Sequence, residues 1–108
     1  MLTASSHLYV DACLDRLGVG SLFEKIWTVD DFGISKAEPE IYVKAAERLG
    51  VSAGDCVFFD DNITAVRTSK KAGMRAAAVY DKSSASYEAQ MRSAADAYLY
   101  SLDDWREI

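Results

Sequence analysis

Two adjacent carboxylates, Asp60 and Asp61, follow directly after the apolar run at residues 56–59. The continuous apolar run predicts a strand buried on both faces, and such a strand that ends on acidic residues and leads into a helix marks a common active-site position in parallel α/β sheets. Because neighbouring carboxylates repel each other, a cation is expected nearby, and the nearest basic residue along the chain is Arg67. Mg²⁺, a hard ion that prefers oxygen ligands, is the first hypothesis, and a solvated turn with a helix cap is the alternative.

Two further positions could complete such a site. The hydroxyl of Thr3 and nearby backbone N–H groups, including that of Ala4, precede a predicted helix and suit an anion such as phosphate. Lys36, in a predicted loop, could neutralise phosphate oxygens and shield the acidic pair. Each residue alone is typical of an ordinary helix start or a solvated surface lysine. Together, a hydroxyl, an ammonium and two carboxylates suit phosphoryl transfer, where catalysis is mostly positioning and charge stabilisation.

Other candidate groups are predicted to have structural roles. Asp30 and Asp31 are expected in a hydrated loop, although they could assist at the same sheet edge, and His7 is expected to be an exposed helix residue, not a general base. Cys13 and Cys56 fall in apolar periodic segments and are predicted to be buried free thiols, which fits a reducing cytoplasm. One histidine and no cysteine cluster argue against a zinc site.

Size and charge restrict the function further. The chain has 108 residues, of which 50% are apolar and 27% charged, as expected for one soluble globular domain. A net charge of −5 argues against nucleic-acid and anionic-membrane partners. No apolar run is long enough to span a membrane, and the first residues lack the pattern of a signal peptide. A cytoplasmic location is therefore expected.

Segments with helical and strand patterns alternate along the chain, separated by short turns. This alternation predicts an α/β fold with a parallel sheet and helices on both faces. Ser5 or Ser6 should cap a helix whose inner face carries Leu14 and Leu17, and a second helix should turn Leu49 inward. Pro39 suits the first turn of that second helix and Gly50 its end, Asn62 should cap the third helix, and Ser101 with Asp104 resembles a capping box. The predicted strands cover residues 25–28, 56–59 and 75–79, with a short run at 97–100. The first predicted helix ends at residue 17, and the other three cover residues 39–49, 63–72 and 86–94.

Four segments occur in an order that resembles a known family. They read LTAS at residues 2–5, SKAEPEIY at 35–42, VFFDDN at 57–62 and KAGM at 71–74. In this order they are similar to the second, third and fourth motifs of the haloacid dehalogenase-like (HAD) hydrolases. The resemblance implies a three-layer Rossmann-like α/β fold. It also implies that Thr3 binds the transferring phosphoryl group, Lys36 stabilises the charge of nucleophile and phosphoryl group, and Asp60 and Asp61 hold Mg²⁺. One departure is Ala37, where many relatives carry proline.

The family's first motif, Asp-x-Asp-x-Thr/Val, does not occur in these 108 residues. In the family that motif carries the nucleophilic aspartate, on a central strand between those ending at Thr3 and Asp60. Without this strand the sheet should be incomplete, as two half-sheets whose inner edges lack a partner strand. Residues 1–108 are therefore predicted to be the C-terminal portion of a HAD core domain, without the first motif and the cap that selects substrate.

Three functional hypotheses follow. The first is a Mg²⁺-dependent phosphatase that acts on a small phosphorylated metabolite through an aspartyl-phosphate, with this chain inactive alone. The second is a non-catalytic regulatory or interaction module, whose open edges pair with a complementing N-terminal half or with a second copy. The third, a receiver domain, places its acidic pair first along the chain, so the order Thr3, Lys36, Asp60 argues against it.

Overall fold

Short strands and helices alternate along the chain in the computed structural model, which describes residues 1–107. The described strands are β1 (Leu2–Thr3), β2 (Trp27–Thr28), β3 (Val57–Asp60), β4 (Arg75–Val79) and β5 (Ala97–Leu99). The described α-helices are α1 (His7–Leu17), α2 (Pro39–Leu49), α3 (Ile63–Lys71) and α4 (Glu88–Ala94). The chain divides into two compact units, one comprising residues 1–35 and the other the described residues from 36 onward.

The first unit is built on a parallel pair of very short strands. In β1 and β2, Leu2 lies opposite Trp27 and Thr3 opposite Thr28. Helix α1 connects them and ends where Gly18 adopts the left-handed conformation, with φ of 68°, which glycine tolerates without steric cost. The carboxyl ends of β1 and β2 therefore lie side by side, and the segments that follow them begin as neighbours.

The second unit contains a three-stranded parallel sheet in the order β3-β4-β5. The central strand β4 carries three alanines, residues 76–78, that are fully buried. Helices cover this strand closely, and small side chains permit that approach, which explains why an alanine-rich run forms a strand here. Val66 of α3 and Met91 of α4 pack with Ala76 and Ala78 to form the core of this unit.

Most local signals at the helix ends were predicted correctly, but the predicted cap of α1 was wrong: Ser6 occupies the cap position and its side chain makes no capping hydrogen bond. Pro39 occupies the first turn of α2, and Gly50 ends it with φ of 78°. The side-chain oxygen of Asn62 accepts a hydrogen bond from the N–H of Ala65 at 3.0 Å and so caps α3. Ser101 and Asp104 form the predicted capping box before the last short turn.

Several burial predictions were wrong because they depend on which neighbour covers each side chain. Leu17 and Leu49 are exposed, since each lies at the last residue of its helix, where the covering surface ends. Phe59 is 38% exposed, because the ring of Trp105, 4.8 Å away, covers it only in part. Cys13 is exposed because the inward face of α1 passes through its neighbour Leu14. Cys56, which was also predicted to be buried, is only half-buried, and the thiols of Cys13 and Cys56 are both free.

Some element boundaries also differ from the prediction. The first predicted strand, residues 25–28, is reduced to Trp27–Thr28. The predicted helix at residues 86–94 begins as the tighter 3₁₀ turn Lys82–Tyr87, and regular α-helix starts at Glu88. Serines and an aspartate at residues 81–86 favour such a turn, because their side chains bond to nearby backbone groups.

The predicted α/β class and parallel pairing are confirmed, and the sheet is partial as expected. The described strands form a two-stranded sheet, β1-β2, and a three-stranded sheet, β3-β4-β5. Strand β3 therefore lies at the edge of its sheet. Within residues 1–107, no helix combines the length and the hydrophobicity needed to cross a membrane.

Candidate functional site

The centre of the candidate site is an ion pair at the carboxyl end of β3. The Nζ of Lys36 lies 2.7 Å from Oδ2 of Asp60, and the two side chains are only 20% and 12% exposed. Screening by water is weak at this depth, so the attraction is stronger than in an exposed pair. The prediction that a cation lies beside the acidic pair is confirmed for Asp60.

Backbone geometry fixes the Asp60 carboxylate from its other side. Its Oδ1 accepts a hydrogen bond from the N–H of Asn62 at 2.9 Å. Asn62 in turn caps α3, so the strand end, the turn and the helix start are joined through neighbouring side chains. A carboxylate held by two donors cannot rotate freely, and its lone pairs keep a defined direction.

Asp61 differs from Asp60 in both exposure and charge environment. The residue is exposed, yet the pKa of its carboxyl group is raised. Partial burial of that group is the main cause, followed by a hydrogen bond shared with Asp60, the negative charge of Asp60 and, more weakly, that of Asp81. A raised carboxyl pKa means that the ionised form is disfavoured, here by removal from water first and by the neighbouring negative charges second.

A buried tyrosine, which the sequence reasoning did not single out, holds the lysine loop. The hydroxyl of Tyr42 donates a hydrogen bond to the backbone carbonyl of Lys36 at 2.7 Å, and the side chain is fully buried. Burial, aided by the charge of Asp60, raises the tyrosine pKa, so the hydroxyl stays protonated as a donor. The ring of Tyr42 packs edge-to-face on Phe58 at 5.0 Å, and the Lys36 ammonium lies 5.4 Å from the centre of the Phe58 ring.

The predicted phosphate-binding residues lie in the first unit. Thr3 is the last residue of β1, and its Oγ1 accepts a hydrogen bond from the N–H of Ser5 at 3.2 Å. Ala4 is exposed in the segment between β1 and α1. The structure brings Lys36 and Asp60 together, whereas the participation of Thr3 and Ala4 in one common site stays a prediction.

The family model described as "haloacid dehalogenase-like hydrolase" matches residues 1–73. The chain belongs to the haloacid dehalogenase-like hydrolases. The matched span contains the Thr3 segment, the Lys36 loop and the acidic pair at the end of β3. The family resemblance seen in the motifs is therefore confirmed.

Individual relatives agree with this assignment. The Bacillus subtilis protein named "Putative phosphatase YhcW" is 35% identical over 82 residues, which are 76% of this chain and 37% of that protein. Fructose-1-phosphate phosphatase YqaB of Escherichia coli is 30% identical over 74 residues, 68% of this chain and 39% of that protein. A HAD family hydrolase structure from Deinococcus radiodurans R1, with bound phosphate and sodium, covers 93% of this chain and 46% of its own, with a TM-score of 0.79 and 24% identity. The chain thus spans less than half the length of these proteins.

The HAD acidic pair fits a magnesium ion that is only partly coordinated by protein. Mg²⁺ keeps several waters and is usually held by one or two carboxylates together with substrate phosphate. Asp60 and Asp61 supply two adjacent carboxylates, and the pKa of Asp61 is raised first by partial burial and then by its hydrogen bond to Asp60 and the charge of Asp60, which a cation would offset. Among the described residues, no group of three or more His, Cys, Asp or Glu side chains forms a complete protein cage for a metal.

Two residues of the first unit make a contact that the sequence did not predict, although His7 is the expected exposed helix residue and Asp31 is exposed as expected. His7 and Asp31, expected as an exposed helix residue and a hydrated loop residue, are joined by a 2.7 Å contact between Nε2 and Oδ2. They are 24 positions apart along the chain. No local pattern reports such a contact, because it depends on the pairing of β1 with β2.

Proposed function

We propose that this chain provides the lysine, phosphate-binding and metal-binding part of a Mg²⁺-dependent HAD phosphatase that acts on a small phosphorylated metabolite. The observation that carries the proposal is the half-buried Lys36–Asp60 pair at 2.7 Å, with Asp61 beside it at the end of a parallel strand. Relatives named as phosphatases, YhcW and YqaB, support phosphoryl transfer. So does the phosphate bound in the Deinococcus radiodurans structure.

Each residue has a defined role in this proposal. Asp60 and Asp61 would hold Mg²⁺, which supplies positive charge against the phosphoryl oxygens when bound. Lys36 adds a fixed ammonium, and its loop is held in place by the hydroxyl of Tyr42. The Thr3 hydroxyl and the Ala4 N–H would donate hydrogen bonds to the phosphoryl group. Preorganised donors of this kind stabilise charge as it develops, without rearrangement during the reaction.

The implied reaction has two steps. A carboxylate nucleophile attacks the phosphorus of a phosphomonoester, forms an aspartyl-phosphate and releases the alcohol, and water then hydrolyses the acyl-phosphate to inorganic phosphate and the free carboxylate. These 108 residues contain no Asp-x-Asp-x-Thr/Val motif that could provide the nucleophile. Residues 1–108 alone are therefore expected to be inactive.

A chimera tests the proposed function. The matching segment of YqaB would be replaced by residues 1–73 of this chain, and hydrolysis of fructose 1-phosphate would be measured with and without Mg²⁺. We expect Mg²⁺-dependent activity that is lost in Lys36→Ala and in Asp60→Asn, and retained in Lys44→Ala, which changes an exposed lysine paired with Glu40. A folded chimera that is inactive, or equally active without Mg²⁺, would contradict the proposal.

The inactivity of the isolated chain has its own test. Purified residues 1–108 should not hydrolyse p-nitrophenyl phosphate in the presence of Mg²⁺. Hydrolysis that is abolished by Asp60→Asn would show that the chain holds a nucleophile of its own, and the assigned roles would have to change.

A second function, a regulatory or interaction module, is supported by the position of β3 at the edge of its sheet. Edge strands offer backbone groups to a further strand, which a complementing N-terminal half or a second copy could supply. Light scattering distinguishes an interaction module, which should associate, from the phosphatase portion proposed above. A monomer at high concentration that also fails to bind a peptide carrying the first strand of a relative would contradict this alternative.

A further inference from the structure

His7 lies between two carboxylates that come from different elements of the first unit. Its Nδ1 is 3.1 Å from Oδ1 of Asp11, one turn further along α1, and its Nε2 is 2.7 Å from Oδ2 of Asp31. Asp31 belongs to the 3₁₀ turn Val29–Asp31, which follows β2 directly. The start of α1 and the turn after β2 therefore meet at one imidazole ring.

The geometry specifies the protonation state of this ring. An ionised carboxylate only accepts hydrogen bonds, so a ring nitrogen that faces one must carry a proton. Both nitrogens of His7 face carboxylate oxygens, so the ring can donate to both only in its doubly protonated, imidazolium form. A positive charge at the first residue of a helix is disfavoured by the helix dipole. The two carboxylates compensate for this, and their hydrogen bonds raise the pKa of His7.

The contact with Asp31 connects the segments that follow β1 and β2. Oδ2 of Asp31 also accepts a hydrogen bond from the N–H of Thr28 at 2.8 Å. Thr28 is the residue opposite Thr3 in the parallel pair. His7 follows Thr3 by a segment of three residues, so the ring ties the start of α1 to the turn beside it. The segment at residues 4–6 is thus held at both ends, by the strand pair and by the imidazolium.

We propose that His7 is a positioning residue for the phosphate-binding segment: as an imidazolium between Asp11 and Asp31, it fixes the start of α1 against the turn after β2 and so sets the positions of the Thr3 hydroxyl and the Ala4 N–H. This inference rests on the proposed function, in which these two groups bind phosphate. His7 does not touch the reacting atoms. It acts through the segment that it holds.

The link that His7 forms between α1 and the turn after β2, through its hydrogen bonds to Asp11 and Asp31, weakens as the pH rises. The charged groups that face His7 are Asp11 from its own helix and Asp31 from the turn after β2. Because these carboxylates raise the pKa of His7, the link is fully present below the ordinary pKa of histidine. It is lost as the pH rises through the raised pKa of His7. A neutral imidazole has one N–H, so only one of the two carboxylates can then accept a hydrogen bond.

An NMR titration of residues 1–108 tests this inference. His7 is the only histidine in the chain, so its ring signals report its pKa directly. We expect a pKa above the ordinary value of 6.5, and backbone amide signals of Thr3 and Ala4 that move with the same midpoint. Asp31→Asn should lower the His7 pKa and remove this transition at Thr3 and Ala4. Asp15→Asn, a change elsewhere on α1, should leave both unchanged.

Sulfate, which keeps a constant charge over the titration, separates this inference from the proposed function. We expect sulfate to shift the amide signals of Thr3 and Ala4 more strongly below the His7 midpoint than above it. If the amide signals of Thr3 and Ala4 shift with the titration of His7 but do not shift when sulfate is added, the positioning role of His7 is supported. The proposed phosphate binding by Thr3 is then contradicted. A His7 pKa at or below 6.5, or amides that ignore its titration, would overturn the inference. An unchanged signal of Leu14, the buried side chain of α1, would show that the first unit of each variant is folded.

Discussion

Two of the three Asp-Asp pairs in this molecule, Asp30–Asp31 and Asp60–Asp61, lie within three residues of the end of a parallel strand, and the structure uses them differently. Asp31 of the first pair accepts from the backbone of Thr28 and faces the imidazolium of His7, so its charge is used to fix a turn. Asp60 of the second pair accepts from Lys36 and from a turn N–H, and Asp61 beside it has a raised carboxyl pKa. The first pair therefore has a structural role, because the imidazolium of His7 lies between two carboxylates. The second pair is a candidate metal site, because one ammonium accompanies two carboxylates and negative charge remains in excess.

Removing the cation from the second pair should produce the largest effect. Lys36→Met leaves the half-buried Asp60 carboxylate without its ammonium, and we expect a loss of about 2 kcal/mol in the free energy of unfolding, because a buried charge without its partner is costly. Urea denaturation measures this. Lys44→Met, at an exposed pair with Glu40, should change the value by less than about 0.5 kcal/mol. The double variant Lys36→Met/Asp60→Asn should regain much of the loss, and equal losses in the two lysine variants would contradict the assignment.

Removing the hydroxyl of Tyr42, which holds the lysine loop, should produce the next largest loss in the free energy of unfolding. Tyr42→Phe keeps the ring on Phe58 but removes the hydroxyl that donates to the carbonyl of Lys36. We expect a loss of about 1 kcal/mol in the free energy of unfolding, the usual value of one such hydrogen bond. Tyr87→Phe, an exposed tyrosine, is the matched control. If both variants unfold at the same urea concentration as the parent, Tyr42 does not hold the loop.

The two acidic pairs should respond to neutralisation with opposite signs. Asp31→Asn removes the charge that holds His7, and should lower the free energy of unfolding. Asp61→Asn removes repulsion between neighbouring carboxylates. Because its raised pKa marks the ionised form as unfavourable in the folded state, this variant should be more stable at neutral pH by a few tenths of a kcal/mol. Parallel urea curves in the absence of divalent ions measure both, and changes of the same sign would break the comparison.

The smallest effect should be the pH dependence that His7 contributes. The raised pKa of His7 means that its contribution is present in acid and lost as the pH rises through that value. The difference in urea midpoint between the parent and His7→Gln should therefore be largest near about pH 5.5 and shrink towards about pH 8.5, on either side of the ordinary histidine range. A difference that is independent of pH would show that His7 contributes through packing alone.

The sequence predicted those features that depend on short-range chemistry. Pro39 and Gly50 mark the ends of α2, and Asn62 caps α3, because each acts on backbone groups within a few residues. The placement of a lysine beside the acidic pair followed from the order of the motifs and is confirmed at 2.7 Å.

What the sequence could not predict depends on contacts between distant elements. The imidazole of His7 meets Asp31 only because β1 and β2 pair in parallel. The exposure of Leu49 and Cys13 reflects which surfaces happen to cover them, a property that helical periodicity does not contain. The role of Tyr42 is of the same kind, since an apolar helix position gives no sign of where its hydroxyl points.

The most direct test of the central claim, that the second acidic pair is a metal site and the first is not, is an NMR titration of residues 1–108 with Mg²⁺. We expect saturable shifts at the amides of Asp61 and Asn62 and none at Asp30 or Asp31. Asp61→Asn should weaken binding at least about tenfold, since even residues outside the ligand set can change metal affinity by that much. Shifts of equal size at both pairs, or no saturation at Asp61 in the parent, would contradict the account.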